Sequence, residues 1–335
     1  MNPARPTTKT RLKGGSLSGT YDCVGEDGSR FVRKEVSLSK NREYGFQRWY
    51  SQLKRMQRYS VLFPGYFPPL LRYGRDGELA YFDMDYIAHA VTVHDYLVSS
   101  PSPSDIDVMF DELVRMTDDM YRTEIASSPL PMELYVYEEI EQKMLACRGN
   151  ARFDAIAAFP TVELNGARCA GLAHVLPKLR ELARATYTRS TESFSHGNLT
   201  LENILYVPNK SRIVMIDPYE ENVIDSALAD YSQILQSCDG RYELYNAATP
   251  SIHADRIECR IPQAAGLDYF RDKFFAFLDT RLTRDERLCV RLLEVSQFAR
   301  MLPFKQEIAE DKMVFFYGLG SWLFEKVCRD IEGSR

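Results

Sequence analysis

SHGNLTLENILYVPNKSRIVMIDP, Ser195 to Pro218, sets two short apolar β segments, Asn203 to Val207 and Arg212 to Ile216, around the turn-forming pair Pro208-Asn209. The sequence on either side is helical in period, at about 104 to 124, 133 to 147 and 174 to 187, and again from about Ser226 to the end. Asn203 opens the hairpin and Asp217 follows it, and His196-Gly197-Asn198 lies just upstream. Taken alone, the stretch is also compatible with an ordinary loop and hairpin.

With its spacing included, the stretch resembles the catalytic and metal-binding segments of the aminoglycoside phosphotransferase and choline kinase families. Their pattern is His-Gly-Asp, four residues, Asn, a short hairpin, then an apolar strand ending in Ile-Asp, the kinase spacing of catalytic Asp, Asn and metal-binding Asp. His196, Gly197, Asn203, Ile216 and Asp217 match; Asn198 stands where the families carry the catalytic aspartate. The narrower wording HGxLTLEN, IDP and SQILQS is similar to phosphotransferases associated with bacterial capsule and surface-polysaccharide synthesis.

The resemblance implies an α+β, bilobal protein-kinase-like fold with an N-terminal antiparallel sheet lobe bearing one helix and a mainly helical C-terminal lobe. It implies an ATP- and magnesium-dependent phosphotransferase, with GTP as the other candidate nucleotide, acting on a hydroxyl of a small molecule such as a sugar, an aminoglycoside-like compound or an amino alcohol. Asn203 and Asp217 would be the magnesium ligands, hard oxygen donors converging from two loops. Position 198 would face the acceptor hydroxyl, where a carboxylate accepts its proton and an amide is a poor base. His196 is implied to organise the loop through backbone hydrogen bonds and not to act as a base. Asp230 resembles an acidic position that buttresses the loop, although an exposed helical aspartate fits the sequence as well.

The first hundred residues read differently. Strands are expected near Thr8 to Lys13, at Thr20 to Val24 and at Arg30 to Val36, the last two joined by Asp27-Gly28. An amphipathic helix over 41 to 58, with Asn41 as N-cap, buries Phe46, Trp49, Tyr50, Leu53 and Met56. Leu70 to Gly74 and Glu78 to Ile87 supply two more strands after Pro68-Pro69. The division is therefore 1–90 as the nucleotide-binding lobe and 91–335 as the helical lobe carrying the catalytic and metal-binding loops.

This order offers the parts that the resemblance requires. Gly14, Gly15 and Gly19 in KGGSLSGTY lie where a hairpin would cover phosphates, Lys34 on the third strand would pair with the α- and β-phosphates, and Glu43 would hold it. A one-residue slip would exchange Lys34 for Arg33. The backbone of Asp85, Tyr86 and Ile87 would meet the adenine edge. A glycine-rich turn, a pair of surface charges and plain core residues are the structural alternatives.

Only about a dozen residues follow Asp217 before the next helix, which favours a small acceptor over a protein. Glu220, Glu221 and Asp225 would make the acceptor side acidic, and FRDKFFAFL and VFFYGLGSWLFEKV would serve as scaffold and acceptor walls.

At 335 residues and 45% hydrophobic, the chain suffices for one large domain or two lobes. A net charge of −5 without a basic stripe argues against a nucleic-acid partner. No stretch is apolar enough to span a bilayer and no secretory leader is evident, so a cytoplasmic protein without a membrane partner is expected. Seven scattered cysteines without a CxxC pair suggest reduced, buried thiols, and five histidines show no zinc-ligand spacing. Asn198 leaves three readings: an inactivated kinase, a natural pseudokinase that binds nucleotide or metabolite as sensor or scaffold, or an enzyme with slow residual turnover.

Overall fold

The computed structural model describes residues 6–12, 18–39, 44–122, 124–126, 132–186, 191–219 and 224–333. Alternating side chains and tight turns build strands β1 (Thr8–Arg11), β2 (Gly19–Val24) and β3 (Arg30–Ser37), followed by helix α1 (Tyr44–Leu62) and strands β4 (Leu70–Asp76) and β5 (Leu79–Asp85). They form one antiparallel five-stranded sheet in the order β1-β2-β3-β5-β4. Trp49, Leu53 and Met56 of α1 share a core with Val36, Ala80, Phe82 and Met84 of the sheet. The Trp49 ring lies 6.0 Å from that of Phe82. Tyr50, expected in that core, is 45% exposed, and Asn41 lies outside the described residues.

The β3 register separates two cations. Lys34 lies opposite Phe82 and Arg33 opposite Asp83. Arg33 donates from Nε and Nη2 to the buried Asp83 carboxylate at 2.7 and 2.9 Å, and Arg72 donates to the same carboxylate at 2.5 Å. Two guanidiniums therefore compensate the desolvation of one carboxylate on the sheet face opposite Lys34.

From residue 91 onward come β6 (Val91–Thr92), α2 (Val93–Val98), α3 (Pro103–Tyr121), β7 (Glu124–Ala126), α4 (Met132–Val136), a π-turn (Tyr137–Glu141), α5 (Gln142–Leu145), α6 (Ala151–Ala158), β8 (Thr161–Leu164), β9 (Ala167–Ala170), α7 (Leu172–Thr186) and β10 (Thr191–Ser193). The hairpin β11 (Ile204–Val207) and β12 (Arg212–Met215) follows, then α8 (Ala227–Cys238), α9 (Tyr242–Ala247), β13 (Ser251–His253), β14 (Arg256–Glu258), α10 (Ala265–Arg281), α11 (Arg284–Ala299), α12 (Leu302–Ile308) and α13 (Glu310–Gly333).

This part is mainly helical, but it holds more β structure than the hairpin expected from sequence. β6 pairs with β11, β7 with β10, and β13-β14-β8-β9 form a separate sheet. Strands of three or four residues are too short to display alternation. The Asn165-Gly166 turn joining β8 to β9, with φ of 50° and 81°, was the one strong hairpin signal there. The helix expected over 133 to 147 is interrupted by the π-turn.

Helix α8 runs through the middle of this lobe, and every one of its residues is buried. Ser226 caps its start by accepting the Leu228 N–H, and an ion-pair cluster secures its end. There Asp239 accepts from Arg291 of α11 at 2.7 Å and from Lys326 of α13 at 2.6 Å. The seven cysteines, all among the described residues, form no disulfide, and six are buried. Among the described residues no helix is long and apolar enough to cross a membrane.

Helix α10 starts against α2 with so little clearance that a Cβ on Gly266 would lie 2.3 Å from the Leu97 carbonyl oxygen. Gly266→Ala should therefore lower the urea unfolding free energy by about 1–3 kcal/mol. An unchanged midpoint would show that the two helices separate freely.

Candidate active site

The loop 194–203 has little regular structure, so its backbone groups need partners elsewhere. Helix α8 provides them from one stripe at i, i+3 and i+7. The Asp230 carboxylate accepts the His196 N–H at 2.6 Å and the Gly197 N–H at 2.7 Å, and also the Tyr121 hydroxyl of α3 at 2.7 Å. Gln233 accepts the Leu199 N–H and donates to the Gly197 carbonyl at 2.8 Å. Ser237 accepts the Leu201 N–H at 3.0 Å and passes its own proton toward Glu243 at 2.6 Å. Leu199 and Leu201 are fully buried, which anchors the loop between its polar attachments. Gly197 sits at φ 78°, a left-handed conformation that glycine adopts without steric cost, so the chain turns just after the two N–H groups that share this carboxylate.

His196 is fully buried; its ring stacks on Phe67 at 6.1 Å and, among the described residues, hydrogen-bonds to backbone groups. Nε2 donates to the Ile216 carbonyl at 2.9 Å, and Nδ1 accepts the Asn198 N–H at 3.3 Å. One nitrogen must carry a proton and the other must lack one, so the ring is neutral. Burial holds its pKa down to about 3. Two further bonds, from Tyr219 N–H to the His196 carbonyl at 2.8 Å and from Ile216 N–H to the Asn203 carbonyl at 2.9 Å, join the loop to the segment after β12.

Asn203 and Asp217 are thereby brought to one side. The Asn203 Nδ2 donates to the Asn198 carbonyl at 2.8 Å, which directs its Oδ1 elsewhere. Asp217 adopts φ 57°, a conformation that aspartate tolerates better than most residues. Its Oδ1 lies 2.7 Å from the Nζ of Lys34, which reaches over from β3 with its side chain only 6% exposed. The Asn198 backbone is fully engaged, since its carbonyl also accepts the Thr200 N–H at 2.9 Å. Its side chain makes no hydrogen bond among the described residues.

Other residues named from sequence fall elsewhere. Gly14, Gly15, Glu43, Glu220 and Glu221 lie outside the described residues; Gly19 opens β2. Asp85 ends β5 with its N–H given to the Pro69 carbonyl at 3.0 Å, and the Tyr86 ring lies 3.8 Å beneath the Arg30 guanidinium. Asp225 does not supply an unpaired acidic wall: its carboxylate is paired with Arg55 at 3.0 Å and accepts the Ser195 hydroxyl at 2.5 Å. Asp230 is not the exposed helical residue of the alternative reading but is 0% exposed. Sequence reasoning missed Gln233, Ser237, Tyr121 and Arg55. The first two were detectable as polar residues in helical register with Asp230, whereas Tyr121 and Arg55 carried no local signal.

Asn203 and Asp217 suit a hard divalent cation, which takes oxygen ligands and completes its shell with water and phosphate oxygens. No cluster of three or more His, Cys, Asp or Glu side chains able to hold a metal occurs among the described residues.

The buried groups make opposite contributions to acid stability. The unfolded histidine titrates near 6.5 and the folded one near 3, so the unfolded chain binds the extra proton and stability is lost as pH falls from 6.5 toward 3. Burial pushes Asp230 up from 3.8 to about 6, so the fold binds that proton first and gains stability as pH falls through this window. In His196→Gln only the second contribution survives. Between about pH 6.5 and about pH 4.5 the variant's urea midpoint should fall less than that of the unsubstituted chain. Equal falls would contradict a neutral buried ring.

No protein-family model matches the chain, and no curated protein matches it. Among solved structures, a single-substitution mutant of aminoglycoside 2'-phosphotransferase-IIIa in its GDP complex superimposes with a TM-score of 0.55 at 15% identity, covering 98% of this chain and 94% of the other. An aminoglycoside 3'-phosphotransferase of type VIII gives a TM-score of 0.47 at 15% identity, covering 86% of this chain and 92% of the other. With a five-stranded antiparallel sheet lobe joined to a mainly helical one, and the full-length superposition of the first of these, the chain has the protein-kinase-like fold of the aminoglycoside phosphotransferases.

Proposed function

We propose that the cleft binds a magnesium nucleotide, ATP or GTP, for phosphoryl transfer to a hydroxyl of a small molecule, and that Asn198 at the catalytic aspartate position suppresses that transfer. The observation that carries this reading is the 2.7 Å approach of Lys34, from the sheet lobe, to Asp217, from the helical lobe. A lysine held beside a carboxylate, with Asn203 on the adjoining loop, supplies the kinds of group that phosphate oxygens and a hard cation require.

Each residue then has a task. Lys34 would bind phosphate oxygens as a point charge, and Asn203 and Asp217 would hold magnesium, which supplies charge neutralisation on the phosphates. His196 would keep its neutral ring as a brace between the loop and Ile216. Asp85 has already given its N–H to Pro69, so the adenine edge would be met by the backbone of Tyr86 and Ile87. Asn198 would still orient an acceptor hydroxyl, but its amide takes up no proton at neutral pH. Sugars, amino sugars and amino alcohols form the acceptor class.

Titration with magnesium ATP and GTP, followed by transfer assays on that acceptor panel, tests the reading in the present chain and in Asn198→Asp. Both should bind nucleotide, and the aspartate form should transfer faster by about 10²–10⁴-fold, the size of a positioned general base. Binding by both without transfer by either would favour a nucleotide-sensing scaffold. Failure of both to bind would refute the assignment. Lys34→Met should weaken nucleotide binding by about tenfold.

A further inference from the structure

Arg55 lies on α1, in the sheet lobe, and in sequence it reads as one more charge on the polar side of an amphipathic helix. It is only 5% exposed. Its Nη1 donates to the Ser195 carbonyl at 3.3 Å and to the Tyr219 carbonyl, while Nη2 donates to the Asp225 carboxylate at 3.0 and 3.2 Å. Ser195 immediately precedes His196, and Tyr219 comes two residues after Asp217. One guanidinium therefore holds both ligand-bearing segments.

Neighbouring groups close this junction. The Ser195 hydroxyl donates to Asp225 at 2.5 Å, and Tyr59, one turn along α1 from Arg55, donates its hydroxyl to the Ser195 carbonyl at 2.7 Å. The Arg48 guanidinium lies 5.0 Å from the centre of the Tyr219 ring. Tyr219 in turn gives its N–H to the His196 carbonyl at 2.8 Å. Arg48, Arg55 and Tyr59 thus grip the two segments from the helix that follows the Lys34 strand.

We propose that Arg55 is a positioning residue of the phosphotransfer site, holding the 195–203 loop and the 217–219 segment in register with each other and with the sheet lobe. This rests on the reading of the cleft as a magnesium-nucleotide site. A planar guanidinium can serve two carbonyls and a carboxylate at once, whereas an ammonium has one point of charge and a different reach. Without the fork, a half-buried carboxylate and two carbonyls face one another with too few donors, and the segments carrying Asn203 and Asp217 separate.

Amide hydrogen exchange and nucleotide binding on Arg55→Lys and Asp225→Asn distinguish this from a simple core strut. Arg55→Lys should accelerate exchange by about tenfold in peptides covering both 195–203 and 216–219, with α13 unchanged. It should reduce the gain in nucleotide affinity on adding magnesium by about tenfold, while affinity measured in EDTA stays within about twofold. Asp225→Asn, which leaves the carbonyl bonds of Arg55 available, should shift both readouts in the same direction by less. Exchange altered in only one segment, or raised equally in α13, overturns the proposal, as does an unchanged magnesium gain. If the unsubstituted chain binds no magnesium nucleotide, the functional reading fails and the positioning role with it; the exchange readout, which needs no nucleotide, shows separately whether the clamp itself holds.

Discussion

A carboxylate removed from water needs donors, and Asp230 takes them from the backbone of the loop that carries the candidate site. Burial alone would raise its pKa much further; the His196 and Gly197 N–H groups and the Tyr121 hydroxyl oppose that, leaving it near 6 and ionised at neutral pH. The exchange is mutual, because buried N–H groups outside regular structure are costly unless they find an acceptor. Gln233 and Ser237 extend the arrangement along α8, so the loop takes its shape from one helix. That helix is in turn held at its end by Arg291 and Lys326, which makes distant helices part of the framework of the site.

This dependence bears on Asn198. The loop is shaped by backbone groups of residues 196 to 201 and by the side chains of His196 and Asn203, while the side chain at 198 has no bonding part in it among the described residues. Aspartate and asparagine are close in shape, so exchanging them alters charge and proton affinity and leaves the supporting bonds alone. A site can therefore retain its geometry and lose its base.

Neither lobe contains the site by itself. Lys34 arrives from β3 and Asp217 from the segment after β12, and the two meet as an ion pair with the lysine side chain buried. The same seam is crossed by Arg55 and Tyr59, whose partners are mostly backbone carbonyls. Contacts to backbone tie the lobes without dictating which side chains line the cleft, so the lining can vary while the junction persists.

Local chemistry made much of this legible in the sequence. Alternation and tight turns placed the strands on either side of α1, helical period placed most of the long helices, and the spacing of His196, Asn203 and Asp217 identified the loop and hairpin that carry the candidate ligands. The short strands β8, β9, β13 and β14 escaped because three or four residues show no clear period, although Asn165-Gly166 marked one of their turns. Adjacent residues of opposite pleat, Lys34 and Arg33, were distinguished only by register, and the choice between an exposed and a buried Asp230 only by the packing of α8 among its neighbours. By itself the sequence determined the kinds of element and the chemical types at each motif position, because these depend on neighbours along the chain. Only the tertiary structure decided that Asp225 is neutralised by Arg55, that His196 is held neutral, and that Lys34 meets Asp217, because those outcomes depend on burial and on partners between about twenty and 183 positions away.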